Sequence, residues 1–164
     1  MTDNIEQIVR QHSDLVYRLA LLHTKHREDA EDVFQNVFVK LIRYQERIQS
    51  EEHLKYWLIR VTLNECKSMH TQAARKHEVT VEEMPEQSVV DELPQESIVY
   101  QTVAALPEKY RTVLHLFYYE ELSIKEISVI QKKREGTIKS LLSRGRHMLE
   151  QLLAEAGYHD REEL

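Results

Sequence analysis

The stretch 123–146, SIKEISVIQKKREGTIKSLLSRGR, decides the fold. Ile124, Ile127, Ser128 and Ile130 keep one helical face apolar or small; after a tight turn, Ile138, Leu141 and Leu142 do the same. Ser128 is small where two helices of a helix-turn-helix must cross closely. The outward face is cationic: between 123 and 148 seven Lys/Arg stand against two Glu, a local balance of +5 in a chain whose net charge is −6. A basic second helix in such a motif is the usual means of entering a DNA major groove.

The acidic total becomes intelligible when divided by segment. Residues 1–76 sum to +1, 77–99 to −7, 100–122 to −1 and 149–164 to −4. Attraction to phosphate depends on the local patch, because salt screens charges beyond roughly 8–10 Å. A free protein of this balance is expected to bind DNA weakly by itself, as a subunit delivered to DNA by a larger machine would. With 164 residues the chain is one domain or two small ones; 41% hydrophobic residues suffice for cores, and three Gly with three Pro favour an all-α fold over a turn-rich β fold. No apolar run reaches bilayer length, and MTDNIEQIVRQ is not a signal peptide, so no direct membrane insertion is expected. Cys66 is alone, which excludes an intramolecular disulfide and suits a reducing, cytoplasmic location.

Helical periodicity runs through the first half. Ile5, Ile8, Val9, Leu15, Val16, Leu19, Ala20 and Leu22 mark one helix; Ala30, Val33, Phe34, Val37, Phe38, Leu41 and Ile42 mark a stronger second. Asp29 and Glu31 suit the positive end of that helix. Its other face carries Asp32, Gln35, Asn36, Val39, Lys40 and Arg43. A third helix is expected over 52–75, with Leu54, Trp57, Leu58, Val61 and Leu63 apolar and Trp57 in the core. Residues 77–96 break the pattern with Pro85, Pro94, seven acids and no Lys or Arg, the composition of a flexible linker. Helical signal returns over 98–106, and Pro107 opens PEKYRTVLHLFYYEE as a first-turn proline. The tail AGYHDREEL is expected to fray. The domains expected are thus 1–76, a linker 77–97, 98–155 and a tail 156–164.

No catalytic centre is legible. The chain lacks a Gly-rich phosphate loop, an HExxH motif and a Ser-His-Asp arrangement. Nine His invite a metal, and Cys66 with His70 or His23 with His26 has ligand-like spacing, but neither pair has further partners and zinc needs three or four ligands. No metal and no cofactor are expected, and the chain is read as no enzyme.

Three fragments in order resemble the extracytoplasmic-function sigma factors of bacterial RNA polymerase. DAEDVFQNVFVKL (29–41) is similar to that family's polymerase-binding helix, HLKYWLIRVTLNECKSMHTQAARK (53–76) to its −10 element-reading segment, and LPEKYRTVLHLFYYEELSIKEIS (106–128) with EGTIKSLLSRGR (135–146) to its −35 element-reading domain. The resemblance implies an all-α fold of two small helical domains on an acidic linker. Asp32, Gln35 and Asn36 would face core polymerase; by periodicity alone they read as a solvated helix face. Asn64, which alone reads as a helix residue satisfied by backbone or water, would contact the melted −10 strand, with Lys67, Ser68, Thr71, Arg75 and Lys76 extending that side toward phosphates. The loop Gln49-Ser50-Glu51-Glu52 would be the specificity loop, its acids a poor match to phosphate. Lys139, Ser140, Ser143 and Arg144 would face the −35 groove; Lys133 and Arg134 would grip phosphate at the helix entrance, beside Gly136 and Thr137. A solvated basic helix is the plainer reading of those residues.

Two departures from the family pattern stand out. Lys132 occupies the turn position where the family carries Gly, with Gln131 in an apolar slot, so the turn is either strained or shifted by one residue. Leu141 stands where many relatives carry a basic residue, which would remove one phosphate contact. Core polymerase, promoter DNA and an anti-sigma factor are the partners the resemblance implies. A stand-alone helix-turn-helix regulator and a helical adaptor or antagonist of polymerase are the other readings of the same pattern.

Overall fold

The computed structural model of the chain describes residues 2–76 and 98–157, all in helices and the turns between them. Contacts divide the chain into two compact units, 1–90 and 91–164. The expected linker 77–97 and most of the expected tail lie outside the described residues.

In the N-terminal unit α1 (Thr2–Thr24), α2 (Arg27–Tyr44) and α3 (Glu51–Lys76) pack on one another. The periodic apolar residues explain why: Val16, Leu19 and Leu22 of α1, Val33, Val37 and Leu41 of α2, and Leu58 and Ile59 of α3 are fully buried. Burying each such side chain stabilises the unit by about 1.5–3 kcal/mol. Thr62 enters this core because its Oγ1 donates to Leu58 O at 2.6 Å, and Cys66 is buried on the same side of α3. The corner between α1 and α2 contains no glycine. Lys25 takes a left-handed backbone (φ 62°), its N–H donates to Leu21 O at 2.9 Å, and His26 then extends to open α2.

Two expectations are corrected here. Ile42, assigned to the apolar face of α2, is 53% exposed, because only Leu41 of that turn meets the core. Trp57 is half-buried, not a core residue; its ring stacks on Tyr44 at 5.1 Å and 11°.

The C-terminal unit contains α4 (Ile98–Ala104), α5 (Glu108–Leu114), a π-helical turn (His115–Tyr119), α6 (Ile124–Gln131) and α7 (Glu135–Glu155). Pro107 sits at the cap one residue before α5, where it needs no N–H, and its carbonyl accepts from Tyr110 and Arg111 N–H at 3.0 Å. The expected continuous helix through HLFYY widens instead into the π turn. That widening lets His115 and Leu116 both bury completely. His115 Nε2–H donates to Glu120 Oε1 at 3.1 Å, and Tyr100 and Tyr119 pack around the imidazole. Arg111, also buried, donates through Nη1 to Ala104 O and Leu106 O at 3.3 Å, which satisfies carbonyls left open at the end of α4.

The helix-turn-helix is α6 and α7. Ser123 and Glu126 form a reciprocal capping box at the start of α6: Ser123 Oγ accepts from Glu126 N–H at 3.1 Å, and Glu126 Oε1 accepts from Ser123 N–H at 3.0 Å. The helix ends at Lys132 in the left-handed region (φ 54°, ψ 45°), where Lys133 N–H reaches back to Ser128 O at 3.1 Å. Lys132 therefore does occupy the turn position that favours glycine. Ile127 and Ile130 of α6 and Ile138, Leu142, Leu149 and Leu153 of α7 are all buried in the core of this unit, where the two helices pack. Leu141 is only 9% exposed, so it belongs to that core and offers no group to a phosphate. A close helix approach lies at Gly145, where a Cβ would stand 3.2 Å from Leu114 Cδ1 and 3.3 Å from Tyr110 Cβ of α5, while Ser128 is half-buried.

Candidate nucleic-acid interface

On α7, burial and exposure separate cleanly by helical phase. Ile138, Leu141, Leu142 and Gly145 face inward, whereas Gly136, Thr137, Lys139, Ser140, Ser143 and Arg144 are exposed. Lys133 and Arg134, in the turn before the helix, are exposed too, and Arg134 occupies the N-cap with no side-chain cap bond. All eight residues assigned from the sequence to a −35 duplex thus lie on open surface of one helix and its entrance. A Cβ at Gly136 would meet nothing within 4 Å, so packing within the fold does not require glycine there. Arg146 behaves differently from its basic neighbours. Its Nε donates to Leu142 O at 3.3 Å and its Nη1 to Tyr118 OH at 3.1 Å, so it ties α7 to the π turn.

In the N-terminal unit, Asn64, Lys67, Ser68 and Thr71 are exposed on one side of α3, spaced three and four residues apart. Thr71 Oγ1 donates to Lys67 O at 3.0 Å, and the side chains of Arg75 and Lys76 lie outside the described residues. Glu65, the acid beside Asn64, pairs with Lys40 of α2. That pair cancels a carboxylate on the edge of a face whose other charged residue here, Lys67, is cationic. The separate exposed face of α2 holds Asp32, Gln35 and Asn36, and adjoining them Val39 at 49% and Ile42 at 53% exposure. Two exposed β-branched residues beside amides and a carboxylate form an amphipathic strip suited to another protein. Val39 was legible on the polar face from spacing; Ile42 was not, since it sits at the boundary of the two faces.

Between α2 and α3, residues 45–50 make a short loop opening with a 3-10 turn (Gln45–Arg47). Its end is held by α3: Gln49 N–H donates to His53 Nδ1 at 3.1 Å and Ser50 Oγ accepts from His53 N–H at 3.0 Å. Sequence reasoning did not single out His53; the S-x-x-H spacing, one residue type away from a capping box, was the available signal.

Among the described residues no group of three or more His, Cys, Asp or Glu is placed to hold a metal ion, and no helix is long and apolar enough to cross a membrane. Cys66 is buried; His70 Nε2–H donates to the His23 carbonyl oxygen at 2.7 Å. His12, half-buried on α1, has its pKa held below the ordinary 6.5 chiefly by burial, with Glu51 opposing and Lys55 reinforcing the shift.

Two small helical units, the second a helix-turn-helix with a cationic outer face, define a helix-turn-helix protein. Residues 8–76 match the family described as Sigma-70 region 2, and residues 96–149 match Sigma-70, region 4. The chain is 31% identical to the ECF RNA polymerase sigma factor SigM of Bacillus subtilis, over 90% of this chain and 94% of that protein. It is also 31% identical to the ECF RNA polymerase sigma factor SigE of Mycolicibacterium smegmatis, over 91% of this chain and 61% of that longer protein. The chain belongs to the ECF RNA polymerase sigma factors. Its fold is similar to that of the sigma factor RpoE solved in complex with the anti-sigma factor NepR from Bartonella quintana, with a TM-score of 0.72 at 20% identity, covering 92% of this chain and 97% of that one. CnrH, solved in complex with the cytosolic domain of CnrY, is similar at a TM-score of 0.70 and 20% identity, covering 94% of this chain and 90% of that one.

Proposed function

We propose that this chain is a dissociable promoter-specificity subunit of bacterial RNA polymerase, an alternative sigma factor with no catalytic chemistry of its own, acting in the cytoplasm. The observation that carries the reading is the occurrence of both Sigma-70 regions, 8–76 and 96–149, in that order on one chain. Residues 1–76 form the polymerase-binding and −10-reading domain, 77–97 the acidic linker, 98–155 the −35-reading domain and 156–164 a tail. Asp32, Gln35 and Asn36, with Val39 and Ile42 beside them, dock on core polymerase. Asn64 offers a donor and an acceptor to the edge of an unstacked −10 base, and Lys67, Ser68, Thr71, Arg75 and Lys76 hold the strand's phosphates.

On the duplex, Arg144 can bond a guanine bidentately, while Lys139, Ser140 and Ser143 are less selective. Lys133, Arg134, Gly136 and Thr137 position the helix against phosphates and supply affinity without sequence choice. Neither half suffices alone, because unstacking a base costs a few kcal/mol and the free chain is net negative at −6. An anti-sigma factor is the regulatory partner; among the similar folds, RpoE was solved in complex with the anti-sigma factor NepR and CnrH with the cytosolic domain of CnrY.

The test mixes purified chain with bacterial core polymerase and a promoter library and maps transcription starts. Initiation that depends on the chain is the expected result. Tight, specific retardation of duplex DNA with no polymerase present would point instead to a stand-alone helix-turn-helix regulator. Binding to polymerase without any initiation would point to an adaptor or antagonist.

A further inference from the structure

His53 touches the last two residues of the loop formed by residues 45–50 and the ring of Tyr44, the residue before that loop. At the first end, Tyr44 closes α2 and presents its ring to α3. That ring stacks on Trp57 at 5.1 Å and meets the His53 ring edge-on, at 6.4 Å and 76°. His53 and Trp57 stand one helical turn apart on α3, so both rings reach Tyr44. The Arg47 guanidinium covers the same ring at 5.8 Å, and Ile48 N–H donates to Gln45 O at 3.2 Å, which folds the start of the loop against this aromatic base. At the last end His53 acts through its own backbone and side chain together. Its N–H donates to Ser50 Oγ at 3.0 Å and its Nδ1 accepts from Gln49 N–H at 3.1 Å.

A Glu or Gln at this third position of a helix ordinarily accepts from the amide of the N-cap residue itself. The imidazole reaches one residue further back, to Gln49, and so fixes the loop rather than only the helix start. Because a backbone amide can only donate, Nδ1 is the acceptor and the ring proton sits on Nε2. The side chains of Gln49 and Ser50 remain exposed beyond the anchor.

We propose that His53 is a positioning residue for promoter recognition: by tying Gln49 and Ser50 to α3 beside the Tyr44 ring it sets where Gln49 and Ser50 meet the −10 strand, and hence which base is preferred there. The inference rests on the reading of the N-terminal unit as the −10-reading domain. A hydrogen bond to a base edge weakens steeply with angle and distance. A loop whose ends are unpinned therefore loses discrimination before it loses affinity.

Three full-length chains test it: the parent, His53→Phe, which keeps a ring beside Tyr44 but has no acceptor, and His53→Gln, which restores an acceptor. Each is scored for amide hydrogen exchange at Gln49, for thermal stability, for affinity to core polymerase, and for start-site usage on a library randomised through the −10 element. In His53→Phe the Gln49 amide is expected to lose protection and preference at one −10 base to flatten by about three- to tenfold, the worth of one hydrogen bond. Melting temperature and polymerase affinity should stay unchanged, and His53→Gln should recover both protection and preference. Unaltered base preference in His53→Phe overturns the proposal. So does a loss of preference that only parallels lost stability or polymerase affinity, which would make His53 merely structural. Should the parent chain itself support no initiation, the sigma reading fails; protection at Gln49 that is indifferent to His53→Phe would then overturn the anchor independently.

Discussion

Lys132 holds a backbone (φ 54°, ψ 45°) that an L-residue enters at a cost of about 1–2 kcal/mol. Its side chain is exposed and no described hydrogen bond of that side chain offsets the cost. Glycine would remove the steric penalty while giving up some unfolded-state restriction, so Lys132→Gly is expected to stabilise the C-terminal unit by about 0.5–1 kcal/mol. Thermal unfolding followed at α6 and α7 should show a higher midpoint; an unchanged or lower one would count against this turn. His12 supports a prediction of the opposite kind. Burial holds its folded-state pKa below 6.5, so between 6.5 and that lower value the unfolded chain binds more protons than the folded one. Stability of the N-terminal unit should therefore fall as pH drops through this window, and His12→Gln should flatten the fall. Urea midpoints of both chains at pH 7.5 and 5.5 measure the difference.

At the scale of the element, Gly145 is the position with least room. A side chain there must displace Leu114 or Tyr110, and overpacking of this kind costs typically about 1–3 kcal/mol. Gly145→Leu is expected to lower the melting point of the C-terminal unit and to separate α5 from α7, visible as faster amide exchange along α5. Much of this architecture is readable from the chain itself. Val33, Val37 and Leu41, or Ile138 and Leu142, repeat at the helical period and are buried as that period demands. The outward residues of α7 follow by default, since phase fixes both faces at once. What the pattern does not carry is anything that depends on which helix lies opposite. Gly145 looks like any mid-helix glycine until Leu114 is placed 3.2 Å from its missing Cβ. The π turn is hidden because HLFYY holds no Lys, Arg, Asp, Glu, Asn or Gln to mark an outer face, and so shows no phase to lose. For His53 the S-x-x-H spacing was readable but the contact with Tyr44 was not, because that partner lies across a loop.

For the whole molecule, charge is distributed against the task of binding DNA unaided. The basic patch around α7 belongs to a chain carrying seven acids and no Lys or Arg between residues 77 and 99. Replacing those carboxylates with their amides removes the net negative charge, and association of the free chain with duplex DNA should then strengthen several-fold at low ionic strength. The gain should vanish as salt rises, because repulsion between separate patches is screened over a Debye length. Fluorescence anisotropy with a nonspecific duplex at two salt concentrations decides the matter.

The chain contains a single thiol, and the three-helix core closes over it. Cys66 is consequently a built-in gauge of opening: a sulfhydryl reagent can reach it only when the helices around it part, whatever the helix-turn-helix unit is doing. The rate of labelling in the free chain, compared with that in complex with polymerase, would report how far capture of the N-terminal helices by a larger assembly suppresses their breathing.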